Sequence, residues 1–412
     1  MRFLLLNQFF WPDSAATSQL LTDLARSLVA DGHEVTAICS GRAGYTVASE
    51  SANDLRSVEI HRVKGLAFSR GRIGRILSYL SFYVAAAVRV LFVPKPDVVL
   101  TLTTPPLISI LGSMLKLVRG CRFYIWEMDV YPDVATDLDY FKAGGAIDTV
   151  VGILADASRK HADGIVALGE CMKDRLVRRS IPESRIFVSD NWADGRAIVP
   201  LTRPGDPKQL ILLYSGNLGL AHDLDTFKGA VQKLETDNRF RFIFSGSGAL
   251  MNNLKSFQQE HRIESIEFRE FVKRESLANN LSLGDIGLVT QNERCCGSVV
   301  PSKVYGLLAA GRPILFIGPG QATPARIIRR FDCGWHVPVG DVRGLTELLD
   351  RLANDRREVA LAGERARQTL VDHFDMPLGL ARLTSFLTGS SIPVDVHLAS
   401  RSSLSPSPLQ RG

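Results

Sequence analysis

Short apolar segments that alternate with helix-forming segments limit the fold of this chain more than any other feature. RFLLL at residues 2–6 and PDVVLTL at 96–102 are typical of strands that are buried on both faces. The pattern starts again in the second half, with LILLYSG at 210–216 and DIGLVT at 285–290. Such alternation predicts an α/β fold with doubly wound parallel sheets and helices on both faces.

The beginning of the chain already forms one complete unit of this pattern. The strand at 2–6 is followed by a helix predicted at 14–30, and then by the strand EVTAIC at 34–39. The turn at 7–12 has no GxGxxG signature, which disfavours a dinucleotide-binding dehydrogenase. The opening MRFLLLNQFFWP has no cleavage-site pattern, so we expect a first strand and not a signal peptide.

The length of 412 residues predicts two domains, since it is too long for one ordinary core. We predict an N-terminal domain over 1–192, a linker rich in proline and glycine over 193–209, and a second domain over 210–374. The end of the chain, 390–412, is rich in serine and proline and is predicted to be disordered.

Composition places the chain among ordinary cytoplasmic globular proteins, with 45% hydrophobic and 22% charged residues. The net charge of +6 favours anionic partners, but the dense Lys/Arg clusters of a nucleic-acid groove are missing. Six cysteines are scattered without a CxxC pair, so buried reduced thiols are expected and not disulfides or a zinc site.

The segment 69–93 allows two interpretations. Arg70, Arg72 and Arg75 precede a mostly apolar stretch that contains Arg89 and barely reaches the ~20 residues needed to cross a bilayer. It could be a helix that faces the core. The alternative is a basic, apolar helix that rests peripherally on the inner face of the plasma membrane.

Asp129 follows the apolar strand RFYIW at 122–126. Ligands of open α/β sheets collect outside the carboxyl ends of the strands, so this carboxylate is a candidate for chemistry. The alternative is that Asp129 and Asp133 only form turns beside Pro132.

The stretch 291–318 joins a polar loop to a short apolar helix and a buried strand. The helix start at Pro301, Ser302 and Lys303 would present free backbone N–H groups beside an ammonium group, a combination that favours a bound phosphate. Alternatively, Pro301 merely opens a helix and Lys303 is a solvated surface charge.

The run PSKxYxxLAAGRP at 301–313, followed by a buried strand, resembles the donor-nucleotide motif of family-4 retaining glycosyltransferases. The likeness is to the branch that makes colanic-acid and O-antigen polysaccharides, and it extends over about residues 1–388. It implies the GT-B fold, in which two Rossmann-like domains face each other across a cleft, with a crossover helix at 375–389 that packs back on the first domain.

The same resemblance implies transfer of a sugar from a nucleotide-diphospho-sugar to a saccharide or polyprenyl-linked saccharide, in bacterial surface polysaccharide synthesis and without a cofactor or metal ion. Asp129 would orient the acceptor, and Lys303 would stabilise the leaving diphosphate. The acceptor hydroxyl would attack from the front face, with retention at the sugar. The donor would be bound by Gly216, Asn217, Gly219, Gly246, Gly248, Phe271, Val272, Pro301, Ser302, Lys303 and Tyr305.

Two departures from the family pattern concern this site. Many members carry two glutamates eight residues apart, where this chain has Ser298 and Gly306. Many also carry an arginine and a lysine after the first strand of the second domain, where this chain has Asn217 and Ala221–His222. Lys303 would therefore carry more of the phosphate charge, helped by Arg294 or His222.

Two other functions remain open at this level. A nucleotide-sugar epimerase on the same fold would need paired carboxylates and histidines, and only Glu127 and Asp129 stand together. A non-catalytic partner of a polysaccharide assembly complex would explain the missing glutamates. DxD spacings at Asp137/Asp139 and Asp223/Asp225 are expected by chance and do not indicate a metal site.

Overall fold

The computed structural model describes residues 1–13, 15–41, 55–66, 71–206 and 208–390. Our prediction for the tail at 390–412 lies largely outside these residues. Within the described ranges the chain forms two parallel sheets, one in each half, with helices packed on both faces. This confirms the predicted α/β architecture of two doubly wound domains.

The N-terminal sheet has seven strands in the order β3-β2-β1-β4-β5-β6-β7, all parallel. The strands are β1 (Arg2–Leu6), β2 (Glu34–Ser40), β3 (Val58–Val63), β4 (Val98–Thr101), β5 (Arg122–Trp126), β6 (Gly164–Ala167) and β7 (Ile186–Val188). The helices are α1 (Ala16–Ala30), α2 (Arg72–Val90), α3 (Ser109–Arg119), α4 (Asp133–Asp137), α5 (Ala146–His161) and α6 (Glu170–Arg178).

The C-terminal sheet has six parallel strands in the order β10-β9-β8-β11-β12-β13. They are β8 (Leu210–Asn217), β9 (Phe240–Ser247), β10 (Ile266–Arg269), β11 (Ile286–Thr290), β12 (Ile314–Ile317) and β13 (Gly334–Val337). The helices are α7 (Asp225–Lys233), α8 (Met251–Glu260), α9 (Leu277–Leu281), α10 (Lys303–Ala309), α11 (Thr323–Phe331), α12 (Val342–Asn354), α13 (Arg356–Thr369) and α14 (Met376–Thr388).

Both sheets bury their apolar strands in separate cores. The strand β4 is buried at every position, as is β12, which explains why these segments are continuously apolar in the sequence. The helix α14 leaves the second domain and joins the core of the first, where Leu383 and Leu387 are fully buried and Phe386 stacks on Phe187 at 4.4 Å. The helix α14 therefore connects the two domains.

Within the segment 69–93, residues Arg72–Val90 form α2, and the buried side chains of this helix, such as Phe82 and Ala86, belong to the core of the N-terminal domain. Several side chains on the other side of the helix are exposed, among them Leu80 and Val84. Over the residues described, no helix combines the length and the apolar character needed to span a membrane. The six cysteines are unpaired, and all except the half-buried Cys296 are buried.

One prediction of secondary structure is wrong in a way that affects the site. The run IEFREFV at 266–272 predicts one continuous strand. The strand observed there, β10, ends at Arg269, so Phe271 and Val272 lie in the loop after it. The reason is that β10 is an edge strand whose single neighbour, β9, pairs with it only as far as Ser245.

Candidate active site

Two glycine turns stand side by side where β8 and β9 end. Gly216 and Gly246 are paired in register, and their φ angles are 128° and 142°, a region that favours glycine. A Cβ atom on Gly246 would lie 2.0 Å from the carbonyl oxygen of Gly216. Gly248 has φ 141°, and its Cβ would lie 2.3 Å from the oxygen of Leu218. Glycine is therefore required for backbone to pack against backbone at this edge of the sheet.

Lys303 extends its side chain across the first of these turns. A Cβ atom on Gly216 would lie only 2.9 Å from Cε of Lys303. The ammonium group lies 5.1 Å from the centre of the Tyr214 ring and 3.5 Å from Nε2 of His222. Gly216 and Lys303 are 87 positions apart in the sequence, and the structure brings them together with His222.

His222 is held as a neutral hydrogen-bond acceptor. Its Nδ1 lies 2.8 Å from the carbonyl oxygen of Thr290, which can only accept, so the proton is on Nδ1. The Tyr214 hydroxyl donates its hydrogen bond to the carbonyl of Asn217 at 2.6 Å. Nε2 of His222 is therefore free to accept a hydrogen bond from Lys303. Burial, followed by the charge of Lys303, lowers the pKa of His222 to about 3. A neutral His222 beside Lys303 is suited to positioning the ammonium, and its predicted help with the phosphate charge stays a prediction.

Lys303 carries a partly buried positive charge. Burial lowers the pKa of its ammonium to about 8, because the charged form loses hydration. Among the described residues, none of the ion pairs joins a carboxylate to Lys303. The helix α10 begins at this residue, so the first N–H groups of the helix lie beside the ammonium. The interpretation of Lys303 as a solvated surface charge does not agree with this geometry.

The other predicted donor residues fall into two groups. Pro301, Ser302, Asn217 and Gly219 lie on the two loops that carry Lys303 and Gly216, with Ser302 and Asn217 exposed. Phe271 and Val272 follow β10 at the same edge of the sheet, and the Phe271 side chain is 51% exposed. Their surfaces are open to a ligand above the strand ends.

Tyr305 does not join this group. Its side chain is 1% exposed, its ring packs edge-on against Phe374 at 5.4 Å, and its hydroxyl donates to Asp190 at 3.2 Å. Residues two positions apart in a helix point ~200° apart, so Tyr305 faces away from the side of α10 that carries Lys303. The motif position is structural, and the prediction of a donor contact by Tyr305 is not supported by its placement.

On the opposite domain, Asp129 follows β5 in a turn that contacts the donor-side loop. Its backbone N–H donates to Thr103 Oγ1 at 3.2 Å, and Asp129 and Val299 form an antiparallel β-bridge. Burial, together with the neighbouring Glu127 carboxylate, raises the pKa of Asp129 to about 6. A carboxylate whose charge is poorly solvated is a strong acceptor for a hydroxyl proton.

The carboxylates around Asp129 are already engaged. Glu127 is 1% exposed and accepts from Nε of buried Arg159 at 2.6 Å. Asp133 is paired with Arg175 and Arg179, at 2.7 and 2.6 Å. An epimerase would need a second available carboxylate beside Asp129, and Glu127 is not available.

The two domains meet through the backbone at this point. The N–H of Val130 donates to the carbonyl of Ser298 at 2.8 Å, and Ser298 is fully buried. The position of one missing family glutamate is thus filled by a contact between domains. Arg294 also faces the N-terminal domain, where it binds both oxygens of Asp139 at 2.8 Å. The prediction that Arg294 helps Lys303 with phosphate is wrong in this arrangement.

The DxD pair at Asp137/Asp139 is occupied as well, since Asp137 accepts from Arg175 at 2.6 Å. In the part of the chain that the structure describes, no group of three or more His, Cys, Asp or Glu side chains could hold a metal ion. Asp223 accepts from the N–H of Thr226 at 3.3 Å, near the start of α7.

Sequence reasoning missed two residues of the site. Tyr214 and Thr290 lie on the neighbouring strands β8 and β11, and both contact His222. Tyr214 also lies under the ammonium of Lys303. In the sequence, Tyr214 is distinguished only by lying two positions before Gly216, which places both residues near the end of β8. That signal is too weak to identify a role for Tyr214.

Comparison with protein families finds two matches that cover most of the chain. Residues 17–192 match the model described as "Glycosyl transferase 4-like domain". Residues 203–369 match the model described as "Glycosyl transferases group 1". The two matched ranges correspond to the two sheets and leave a short gap at 193–202.

Two curated relatives are similar to this chain at modest identity. "Probable glycosyltransferase WbjE" of Pseudomonas aeruginosa is 26% identical over 268 residues, which are 63% of this chain and 66% of the relative. "Putative colanic acid biosynthesis glycosyl transferase WcaI" of Escherichia coli (strain K12) is 24% identical over 234 residues, 53% of this chain and 56% of the relative. A third or more of each relative is left unmatched.

Solved structures share the fold over nearly the full length. Sucrose-phosphate synthase from Thermosynechococcus elongatus has a TM-score of 0.76 at 14% identity, and the match covers 94% of this chain and 98% of that one. WaaG, described as a glycosyltransferase involved in lipopolysaccharide biosynthesis, has a TM-score of 0.69 at 13% identity, covering 95% and 100%. Anabaena HepE, solved with UDP and glucose, has a TM-score of 0.69 at 11% identity, covering 94% and 100%. At these identities the likeness establishes the fold, which is the GT-B arrangement.

Proposed function

Because the chain belongs to the glycosyl transferases group 1 family, with a glycosyl transferase 4-like N-terminal domain, we propose that it moves a sugar from a nucleotide-diphospho-sugar to a saccharide or lipid-linked saccharide acceptor. The observation that carries this proposal is the partly buried ammonium of Lys303. It stands over the Gly216 turn at the start of α10, and it has no carboxylate partner among the described residues.

The donor half of the proposal rests on charge. Cleavage of a sugar–diphosphate bond leaves negative charge on the β-phosphate. The ammonium of Lys303 and the first N–H groups of α10 would stabilise that charge, and the tight Gly216 and Gly246 turns let backbone approach the diphosphate. His222 accepts a hydrogen bond from the ammonium of Lys303. It therefore orients the ammonium and does not compete with it for the anion. HepE of the same fold binds UDP, so UDP-sugars are the first donors to test.

The acceptor half of the proposal rests on Asp129. Its pKa of about 6 leaves it mostly ionised at pH 7, where it can accept a hydrogen bond from the attacking hydroxyl. The remaining carboxylates of this turn are held by arginines, so Asp129 is the one that can orient an acceptor. We propose that attack occurs on the front face, that the leaving phosphate accepts the proton, and that the anomeric configuration is retained without a metal ion.

Both named relatives are glycosyltransferases, and the name of one refers to colanic acid biosynthesis. We therefore propose a role in bacterial surface polysaccharide synthesis, carried out at the inner face of the plasma membrane. The choice of sugar depends on a few hydroxyl contacts of the donor, and these must be measured.

The direct test is a donor screen followed by turnover. UDP-, GDP- and TDP-sugars should be compared by thermal shift, and one donor class should raise the unfolding temperature of the protein. That donor should then release its nucleoside diphosphate when saccharide or polyprenyl-linked acceptors are supplied. Isomerisation of the free donor without an acceptor would identify an epimerase. Stabilisation without transfer to any acceptor would identify a non-catalytic partner.

Asp129→Asn should change activity and stability in opposite directions. Transfer should fall by about 10- to 100-fold, because a neutral amide holds the acceptor hydroxyl by a weaker hydrogen bond than the carboxylate does. Stability at pH 7 should rise, by about 1 kcal/mol or a few degrees in Tm. The sign follows from the raised folded-state pKa: the folded protein holds the extra proton between pH 3.8 and about 6, and stability declines as pH rises through that range.

The control for this variant is Asp225→Asn, since the Asp225 side chain is 95% exposed at the start of α7. It should leave both transfer and Tm unchanged. If Asp129→Asn weakened nucleotide binding as much as it weakened transfer, the assignment of Asp129 to the acceptor would be incorrect. Donor affinity is measured separately by titration with the nucleoside diphosphate.

A further inference from the structure

Three helices lie side by side on one face of the N-terminal sheet. The connections β3-α2-β4, β4-α3-β5 and β5-α5-β6 all move across the sheet in the same direction, and right-handed crossovers place such helices on the same side. Ser113 of α3 is hydrogen bonded to Ser158 of α5 at 3.1 Å. Arg119 of α3 donates to the carbonyls of Val93 and Leu91, just after α2, at 2.7 and 2.9 Å.

The outer surface of these helices is apolar, and we name the surface of α2 with residues 91–92, α3 and α5 the apolar face. It carries fourteen of the 23 large apolar side chains that are exposed in the described chain: seven on α2 and the turn after it, three on α3 and four on α5. Val84 is 67% exposed, Leu117 is 74% exposed and Ile153 is 64% exposed. Apolar patches that are this extended mark an interaction surface.

The charge around the apolar face is positive. Residues 72–126, which include α2 and α3, contain seven arginines and lysines and a single acidic residue, Asp97. The helix α5 adds Lys160 and two aspartates, of which Asp156 is paired with Arg159 and Arg179. An apolar surface within a basic region is complementary to an anionic bilayer, which offers acyl chains and phosphate groups together.

The apolar face also leads to the acceptor side of the site. The first turns of α2 approach the turn after β5, since Tyr79, Arg75 and Asp129 all influence the pKa of Tyr131. Tyr131 is two residues from Asp129. A saccharide linked to a membrane lipid could therefore reach Asp129 from the edge of this surface.

We propose that the apolar face lies on an anionic bilayer, with its apolar side chains in the boundary between headgroups and acyl chains and its basic residues among the phosphates. The protein would then dock peripherally through three helices and present the cleft to lipid-linked acceptors. The docking itself does not depend on the proposed function. Only the delivery of a lipid-linked acceptor to Asp129 rests on the proposed sugar transfer.

The test uses the full chain and vesicles, without donor or acceptor. The wild type should co-sediment with vesicles of phosphatidylglycerol and phosphatidylcholine more than with phosphatidylcholine alone, and this preference should weaken at high salt. The double variant Val84→Asp/Leu117→Asp should bind the anionic vesicles at least about tenfold more weakly. Both substituted side chains are exposed, so Tm and binding of nucleoside diphosphate should not change.

The matched control is Val199→Asp/Leu361→Asp, which adds the same charge at apolar positions 39% and 41% exposed and outside the apolar face. It should bind vesicles nearly as well as the wild type. The proposal is overturned if the wild type stays in the supernatant with anionic vesicles, or if both double variants bind equally. It is also overturned if sedimentation velocity shows self-association that only Val84→Asp/Leu117→Asp removes, because the face would then join two copies of the chain.

Discussion

Lys303→Ala should lower kcat/KM for sugar transfer by about 10²-fold or more, while the protein remains folded. The substitution removes a partly buried cation whose side chain lies against Gly216. Stability should be maintained or raised, because the ammonium is poorly solvated in the folded protein and its pKa is lowered to about 8. Initial rates with the identified donor, measured alongside Tm, check both expectations.

The pH dependence of nucleotide binding separates this role from a structural one. In the wild type, affinity for the nucleoside diphosphate should decline as pH rises through about 8, because Lys303 loses its proton there. Lys303→Ala should bind more weakly at neutral pH and should lose this decline. Lys233→Ala, which changes an exposed lysine at the end of α7, should behave as the wild type in both respects. An equal pH profile in wild type and Lys303→Ala would refute the assignment.

Gly246→Ala should abolish donor binding and destabilise the C-terminal domain. The new Cβ would lie 2.0 Å from the Gly216 carbonyl oxygen, and both atoms belong to backbone that is fixed by the β8–β9 pairing. The strand ends must move apart, at a cost of about 3 kcal/mol in unfolding free energy. Displacement of Gly216 would also move the backbone against which the Lys303 side chain packs. Calorimetric Tm and nucleotide titration measure the two effects.

Gly340→Ala is the matched control for this substitution. Gly340 has φ 87° in the same domain, and no atom lies within 4 Å of its hypothetical Cβ. It therefore suffers the left-handed strain of about 1 kcal/mol without the collision. If the two alanine variants lost stability and nucleotide affinity equally, the close approach of the two turns would have no special importance.

The repeated apolar segments were sufficient to predict both sheets, because strands buried on two faces must be apolar throughout, as β4 and β12 are. The same reasoning failed at β10, where apolar residues continue to Val272 but the pairing with its single neighbour β9 ends at Arg269. The length of an edge strand is decided by its neighbour, which the local sequence does not report.

The candidate site could be predicted only where its residues share one loop. Pro301, Ser302 and Lys303 form such a loop, and the glycine turns of β8 and β9 were visible at strand ends. The neutral state of His222 depends on Thr290 and Tyr214, which meet it only when three strand ends are assembled. The donor contact predicted for Tyr305 is not supported for a different reason. A sequence motif does not record which side of a helix each of its positions faces.

The backbone contact between Asp129–Val130 and Ser298–Val299 has a mechanical consequence. Val299 is four residues from Lys303, so peptide geometry alone keeps the carboxylate turn within ~14 Å of the lysine backbone. The two domains would then open by rotation about this backbone contact. Sliding of one domain along the other would break the β-bridge. By linkage, a ligand that tightens either loop must alter affinity at the other by the same factor.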